Sequence, residues 1–198
     1  MQQRTRIYLT GVGGQGSLTA TTLLARAALG QGIEVTAGEI HGMAQRGGVV
    51  ESFILLGGWK SPKLGLGEAD LFLGFEPLET LRGLPYLKKG GVVVSSTEAL
   101  PPVAVSLGVA EYPELDKVRT AAESVAARAF FLPSKTLGLQ AGAVQSGNFA
   151  LLGAACAVGV APVSVDGLKA AVRAFLKPKL VDINLKAIDL GVAAVNNQ

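Results

Sequence analysis

A chain of 198 residues, 49% of them hydrophobic, is long enough for one domain that buries roughly 70% of its unfolded surface. Its net charge is +3, from 18 Lys and Arg against 15 Asp and Glu, and the cations are scattered between Arg4 and Lys186 with no run longer than Lys88-Lys89, so a nucleic-acid interface is not supported. A single cysteine, Cys156, excludes an internal disulfide and an iron–sulfur cluster on this chain.

Arg6-Ile7-Tyr8-Leu9-Thr10 reads as a strand, and from Ser17 the spacing of Leu18, Leu23, Leu24, Ala27 and Ala28 predicts a helix. Between them lies Gly11-Val12-Gly13-Gly14-Gln15-Gly16, four glycines in six residues. Without Cβ atoms the backbone reaches φ > 0 and approaches a ligand closely, and the following helix N-terminus supplies partial positive charge. Gly11, Gly13 and Gly16 match the dinucleotide fingerprint, although such a turn also serves packing alone.

Ile33 to Ala37 reads as a second strand, Val49 to Leu56 as an interior third strand and Asp70 to Phe75 as a fourth. A helix is expected from Pro77 to Leu87, interrupted near Gly83 and Pro85, followed by a strand over Val92 to Ser95. Pro101-Pro102 opens a less regular section with a candidate strand from Val103 to Val109. Glu114 to Ala129 reads as a helix, and three more are expected over Gly147–Val158, Val165–Phe175 and Val181–Val195. The apolar run Phe149 to Val163 falls short of the roughly 20 residues a membrane span needs and contains Pro162, so it reads as a core helix that buries Cys156. No signal-peptide pattern opens the sequence, and a cytoplasmic location is expected. The expected architecture is a three-layer α/β/α sandwich with an open, mostly parallel sheet and C-terminal helices, residues 1–198 forming one domain.

His41-Gly42-Met43-Ala44-Gln45-Arg46-Gly47-Gly48 lies between the second and third strands. If the first two strands are parallel neighbours, this loop and the glycine-rich loop share one rim. The candidate ligand-binding set is therefore Gly11, Gly13, Gly14, Gln15, Gly16, His41, Gln45, Arg46, Gly47 and Gly48. Arg46 carries a planar fork suited to carboxylate or phosphate, and His41 can exchange a proton near neutral pH. Alternatively, His41 is packed or solvated, and Arg46 bridges to Glu39 or to another subunit. No catalytic residue is assigned, and no residues stand at metal-ligand spacing.

Together, the segments Gly11–Gly16 and Glu39–Gly48 resemble the gamma subunit or gamma domain of the 2-oxoacid:ferredoxin oxidoreductases. Gly67-Glu68-Ala69-Asp70, Glu76-Pro77-Leu78-Glu79, Asn148 with Leu152-Gly153-Ala154, and Asn184-Leu185-Lys186-Ala187 extend the resemblance over nearly the whole chain. His-Gly-Met-Ala-Gln-Arg-Gly-Gly is most similar to the indolepyruvate-type beta chain. The resemblance implies an accessory subunit in a hetero-oligomer that oxidatively decarboxylates a 2-oxoacid to an acyl-coenzyme A and passes electrons to ferredoxin. Thiamine diphosphate and iron–sulfur clusters would sit on partner subunits. Coenzyme A is the one ligand the resemblance offers this chain, with no cofactor held tightly. The stretch from Pro101 to Gly147 departs from the family's pattern. Two rival readings stand beside it. A free-standing NAD-dependent dehydrogenase would use an acidic residue such as Glu39, 23 positions after Gly16. A non-catalytic scaffold would use these loops for protein contact alone.

Overall fold

The computed structural model describes residues 3–41, 47–101, 105, 107–108 and 111–198, His41 by its backbone only. Six strands form one sheet: β1 (Thr5–Val12), β2 (Val35–His41), β3 (Val49–Leu56), β4 (Ala69–Gly74), β5 (Leu87–Ser96) and β6 (Arg128–Leu132). Their order across the sheet is β2-β3-β1-β4-β5-β6. The β1–β4, β4–β5 and β5–β6 pairs are parallel, whereas β3 runs antiparallel to both neighbours, β1 and β2. Five strands therefore point the same way, and their carboxyl ends line one rim.

Alternation along the strands separates the two faces. Ile7, Leu9, Ile54, Leu71, Leu73 and Val94 pack against α1 (Ser17–Gly30) and the C-terminal helices. Tyr8, Phe53, Leu55, Phe72 and Val93 lie on the opposite face with Val118 and Ala122. That second face is covered by α2 (Pro77–Gly83) and α3 (Leu115–Val125), which completes the three layers. The first face also carries α4 (Ser134–Ala141), α5 (Gly147–Ala157), α6 (Val165–Phe175) and α7 (Pro178–Asn196). Helix α5 is buried on every side from Gly147 to Cys156, as its apolar run requires. Among the described residues, no helix is long and apolar enough to cross a membrane.

Several sequence expectations need correction. The helix expected to run to Leu87 ends at Gly83, and a 3-10 turn over Leu84–Tyr86 leads directly into β5. Pro85 cannot donate the hydrogen bond that would continue the helix. The helix expected through Ala129 ends at Val125 because Ala126 is extended, and Arg128–Leu132 pairs with β5 instead. Helix α4 was not expected, while the candidate strand from Val103 to Val109 falls largely outside the described residues.

Burial pushes the Cys156 thiol up to about 12. The protonated sulfur is a poor nucleophile at neutral pH. A disulfide reagent is therefore expected to leave native Cys156 unmodified and to label it at the rate of unfolding in denaturant. Rapid stoichiometric labelling of folded protein would contradict this burial.

Candidate functional site

The glycine-rich turn and the 47–48 segment meet at the rim, by a route the sequence reading did not foresee. β1 and β2 are parallel but are not neighbours, since β3 lies between them. Gly11 and His41 are both in register with Val50, which places their Cα atoms about 10 Å apart across two strand spacings. The loops are joined by the ladder itself. Gly13 N donates to Gly48 O at 2.7 Å, and Gly47 N donates back to Gly13 O at 3.2 Å. Of the candidate set, Gly11, Gly13, Gly14, Gln15, Gly16, Gly47 and Gly48 are thus gathered, whereas Gln45 and Arg46 lie outside the described residues.

Gly14 (φ 89°) and Gly16 (φ 86°) occupy the left-handed region, where a side chain is strained. At Gly14 an added Cβ would meet no atom of the described residues within 4 Å, and that backbone is exposed. Gln15 behaves differently from the sequence expectation. Its Oε1 accepts from Val12 N at 3.1 Å, and its Nε2 donates to Phe75 O at 2.6 Å just beyond β4. Asn148, in the first turn of α5, donates to Gln15 O at 2.7 Å. The Gln15 side chain is therefore a brace that fixes the turn rather than a free ligand group. Asn148 is a second brace, and only its place in the resemblance marked it in the sequence.

Electrostatics distinguish α1 from other helices near the rim. The N-terminus of α2 is occupied by Glu76, whose carboxylate accepts from Glu79 N at 2.9 Å. At the start of α4, Glu98 accepts from Thr136 N at 3.0 Å and also from Lys135 N. By contrast, α1 begins at Gly16 with no side-chain cap and no acidic residue in its first turn. Its leading N–H groups, having no intrahelical acceptors, carry partial positive charge toward the exposed glycines. This arrangement suits phosphate or carboxylate oxygens.

The dinucleotide reading loses its geometric basis. That motif places the second strand beside the first, with its terminal carboxylate on the ribose. Here antiparallel β3 separates the two, and Glu39 is exposed on β2 in register with Ser52.

A family model described as pyruvate ferredoxin/flavodoxin oxidoreductase matches residues 6–194. The chain is 43% identical over 193 residues to indolepyruvate oxidoreductase subunit IorB of Pyrococcus horikoshii, covering 95% of this chain and 94% of that protein. Its fold is similar to the keto/oxoacid ferredoxin oxidoreductase gamma subunit of Geobacter sulfurreducens, with a TM-score of 0.71 at 23% identity, covering 98% and 99% of the two chains. It also resembles part of the 2-oxoglutarate:ferredoxin oxidoreductase of Magnetococcus marinus, solved with 2-oxoglutarate, coenzyme A and succinyl-CoA bound. That likeness has a TM-score of 0.72 at 18% identity and covers all of this chain and 32% of the other.

Proposed function

The chain belongs to the pyruvate ferredoxin/flavodoxin oxidoreductase family, and from that premise we propose that it is the accessory subunit of an indolepyruvate-type 2-oxoacid:ferredoxin oxidoreductase. Full-length correspondence to a relative named as an indolepyruvate oxidoreductase subunit carries this reading. Thiamine diphosphate and iron–sulfur chemistry then belong to partner subunits in a cytoplasmic hetero-oligomer. The lone Cys156 is buried, and among the described residues no group of three His, Cys, Asp or Glu is placed to hold a metal.

The rim is proposed to receive the phosphate end of coenzyme A. Gly13, Gly14 and Gly16 carry no Cβ, the N-terminus of α1 presents N–H groups without a side-chain cap, and Gln15 and Asn148 hold the turn in shape. When bound, coenzyme A supplies the thiol that accepts the acyl group. The chain's own contribution is to bind the anionic end and orient the carrier toward the partner. Ligand contact is also proposed for His41, at the end of β2, and for Gln45 and Arg46.

The experiment combines two measurements. Saturating coenzyme A is expected to raise the melting temperature of the chain, while NAD leaves it unchanged, because only a ligand of the native state stabilises by mass action. In the assembled complex, Arg46→Lys is expected to raise KM for coenzyme A nearly as much as Arg46→Ala, since an ammonium cannot reproduce a two-pronged guanidinium contact. An NAD-induced shift without a coenzyme A shift would favour the dehydrogenase reading. Wild-type kinetics from Arg46→Lys would remove Arg46 from the binding surface.

A further inference from the structure

On the face of the sheet opposite α1, a cavity of about 320 Å³ opens between α2 and the β1–β3 pair. Tyr8 and Thr10 of β1, Val49 and Glu51 of β3, and Glu79 and Arg82 of α2 line it. None of these residues belongs to the glycine-rich turn, although Val49 adjoins Gly48. The side chain of Glu79 is only 1% exposed, and its Oε1 pairs with Arg82 Nη1 at 2.8 Å. Its Oε2 is buried and has no hydrogen-bond partner among the described residues. Across the cavity, Glu51 accepts from the Tyr8 hydroxyl, which leaves further lone pairs on that carboxylate.

We propose that this cavity binds a primary alkylammonium group, the tip of a lysine side chain or a free amine, between the carboxylates of Glu51 and Glu79. Among the described residues of the lining, two carboxylates face one guanidinium, and Arg82 is half exposed, so water screens that cation. Buried Glu76 stands behind them with its own carboxylate, already engaged by Glu79 N, Leu100 N and the Tyr112 hydroxyl. The recess therefore favours a positive guest that brings N–H donors. A buried carboxylate oxygen without a donor is an unfavourable state that such a guest relieves. An ammonium supplies three donors on a narrow apolar stem, which Val49 and the Tyr8 ring can flank. Burial raises the Glu79 carboxyl pKa, against the lowering effect of Arg82 and with the neighbouring Glu76 and Glu51 carboxylates adding to the rise. The proposal does not depend on the coenzyme A reading, because it concerns another face and another charge.

The test is 13C NMR of glutamate side-chain carboxyls in the full chain at constant ionic strength. Titrants are n-butylammonium, butyltrimethylammonium, N-acetyl-lysine methylamide and magnesium chlorides. Butylammonium is expected to shift the Glu79 and Glu51 signals saturably, at least tenfold more tightly than the trimethyl analogue, which has charge but no N–H. Glu79→Gln and, independently, Glu51→Gln are expected to abolish the response of the remaining carboxyl, so the test survives if one variant fails to fold. An equal response to the lysine derivative assigns the site to a presented lysine, and a response to butylammonium alone assigns it to a free amine. No saturable shift, equal shifts from butylammonium and butyltrimethylammonium, or a response to magnesium alone would overturn the proposal.

Discussion

Gly191→Ala is expected to destabilise the protein by about 3 kcal/mol, at the upper end of the overpacking range, although glycine to alanine inside a helix ordinarily stabilises. Helices α5 and α7 cross with their backbones in contact. A Cβ added at Gly191 would stand 1.8 Å from Ala150 O, and one at Gly153 would stand 2.4 Å from Ile188 O. The obstacle at both points is main chain, so no rotamer change relieves it, and the helices must separate. Separation would loosen Ala150, Ala154, Ala187 and Ile188, which are fully buried at the centre of the first core. For a protein of this length, that loss corresponds to a fall in melting temperature on the order of 10 °C. Gly191→Leu is expected to prevent folding. A melting temperature equal to or above wild type for Gly191→Ala would show that helix propensity outweighs the crossing.

Gly14→Val is expected to reduce coenzyme A-dependent activity of the assembled complex by about 100-fold, equivalent to roughly 2.7 kcal/mol of transition-state stabilisation. The expected change in folding is much smaller. A Cβ at Gly14 meets no atom of the described residues within 4 Å, so the expected cost to folding is the positive-φ strain of about 1–2 kcal/mol. The open space into which the valine projects is the space an anion would use against the turn. Gly14→Asn separates the two effects, since asparagine tolerates the left-handed region better while still filling that space. It is expected to melt closer to wild type and still to raise KM for coenzyme A. Wild-type KM in both variants, measured with the partner subunit present, would confine the turn to a structural role.

The two glycine effects differ in how far the sequence reveals them. Gly14 stands in a local pattern, a strand signal followed by glycines and a helix signal, and all of that information lies within about 25 consecutive residues. Gly153 and Gly191 matter only because α5 and α7 cross, which no local periodicity encodes. The direction of β3 is hidden for a similar reason: alternation marks a strand without saying which neighbour it pairs with or which way it runs. Arg128–Leu132 is a strand because β5 offers it a parallel edge, whereas the alanines at 126, 127 and 129 resemble a continuing helix. Phe130-Phe131-Leu132 before Pro133 was the available strand signal.

The site follows the same division. The composition of the turn suggests anion contact, yet Gln15 is identified as a brace only once Phe75 and Asn148 are placed beside it. The resemblance marked Glu76 and Glu79 as part of a motif, without indicating that one caps α2 while the other lines a cavity with Glu51 from β3. That cavity joins β1, β3 and α2, which are far apart in the chain, and exists only after they pack.

The central claim, that this chain is an accessory subunit of a 2-oxoacid:ferredoxin oxidoreductase, is tested most directly by reduction of a viologen acceptor. Indolepyruvate and coenzyme A would be supplied to this chain alone, to the thiamine- and iron–sulfur-bearing partner alone, and to both together. The account predicts no reduction by this chain, little by the partner, and full reduction with formation of an acyl-coenzyme A when the two are combined. Turnover by this chain alone, or full turnover by the partner without it, would contradict the account.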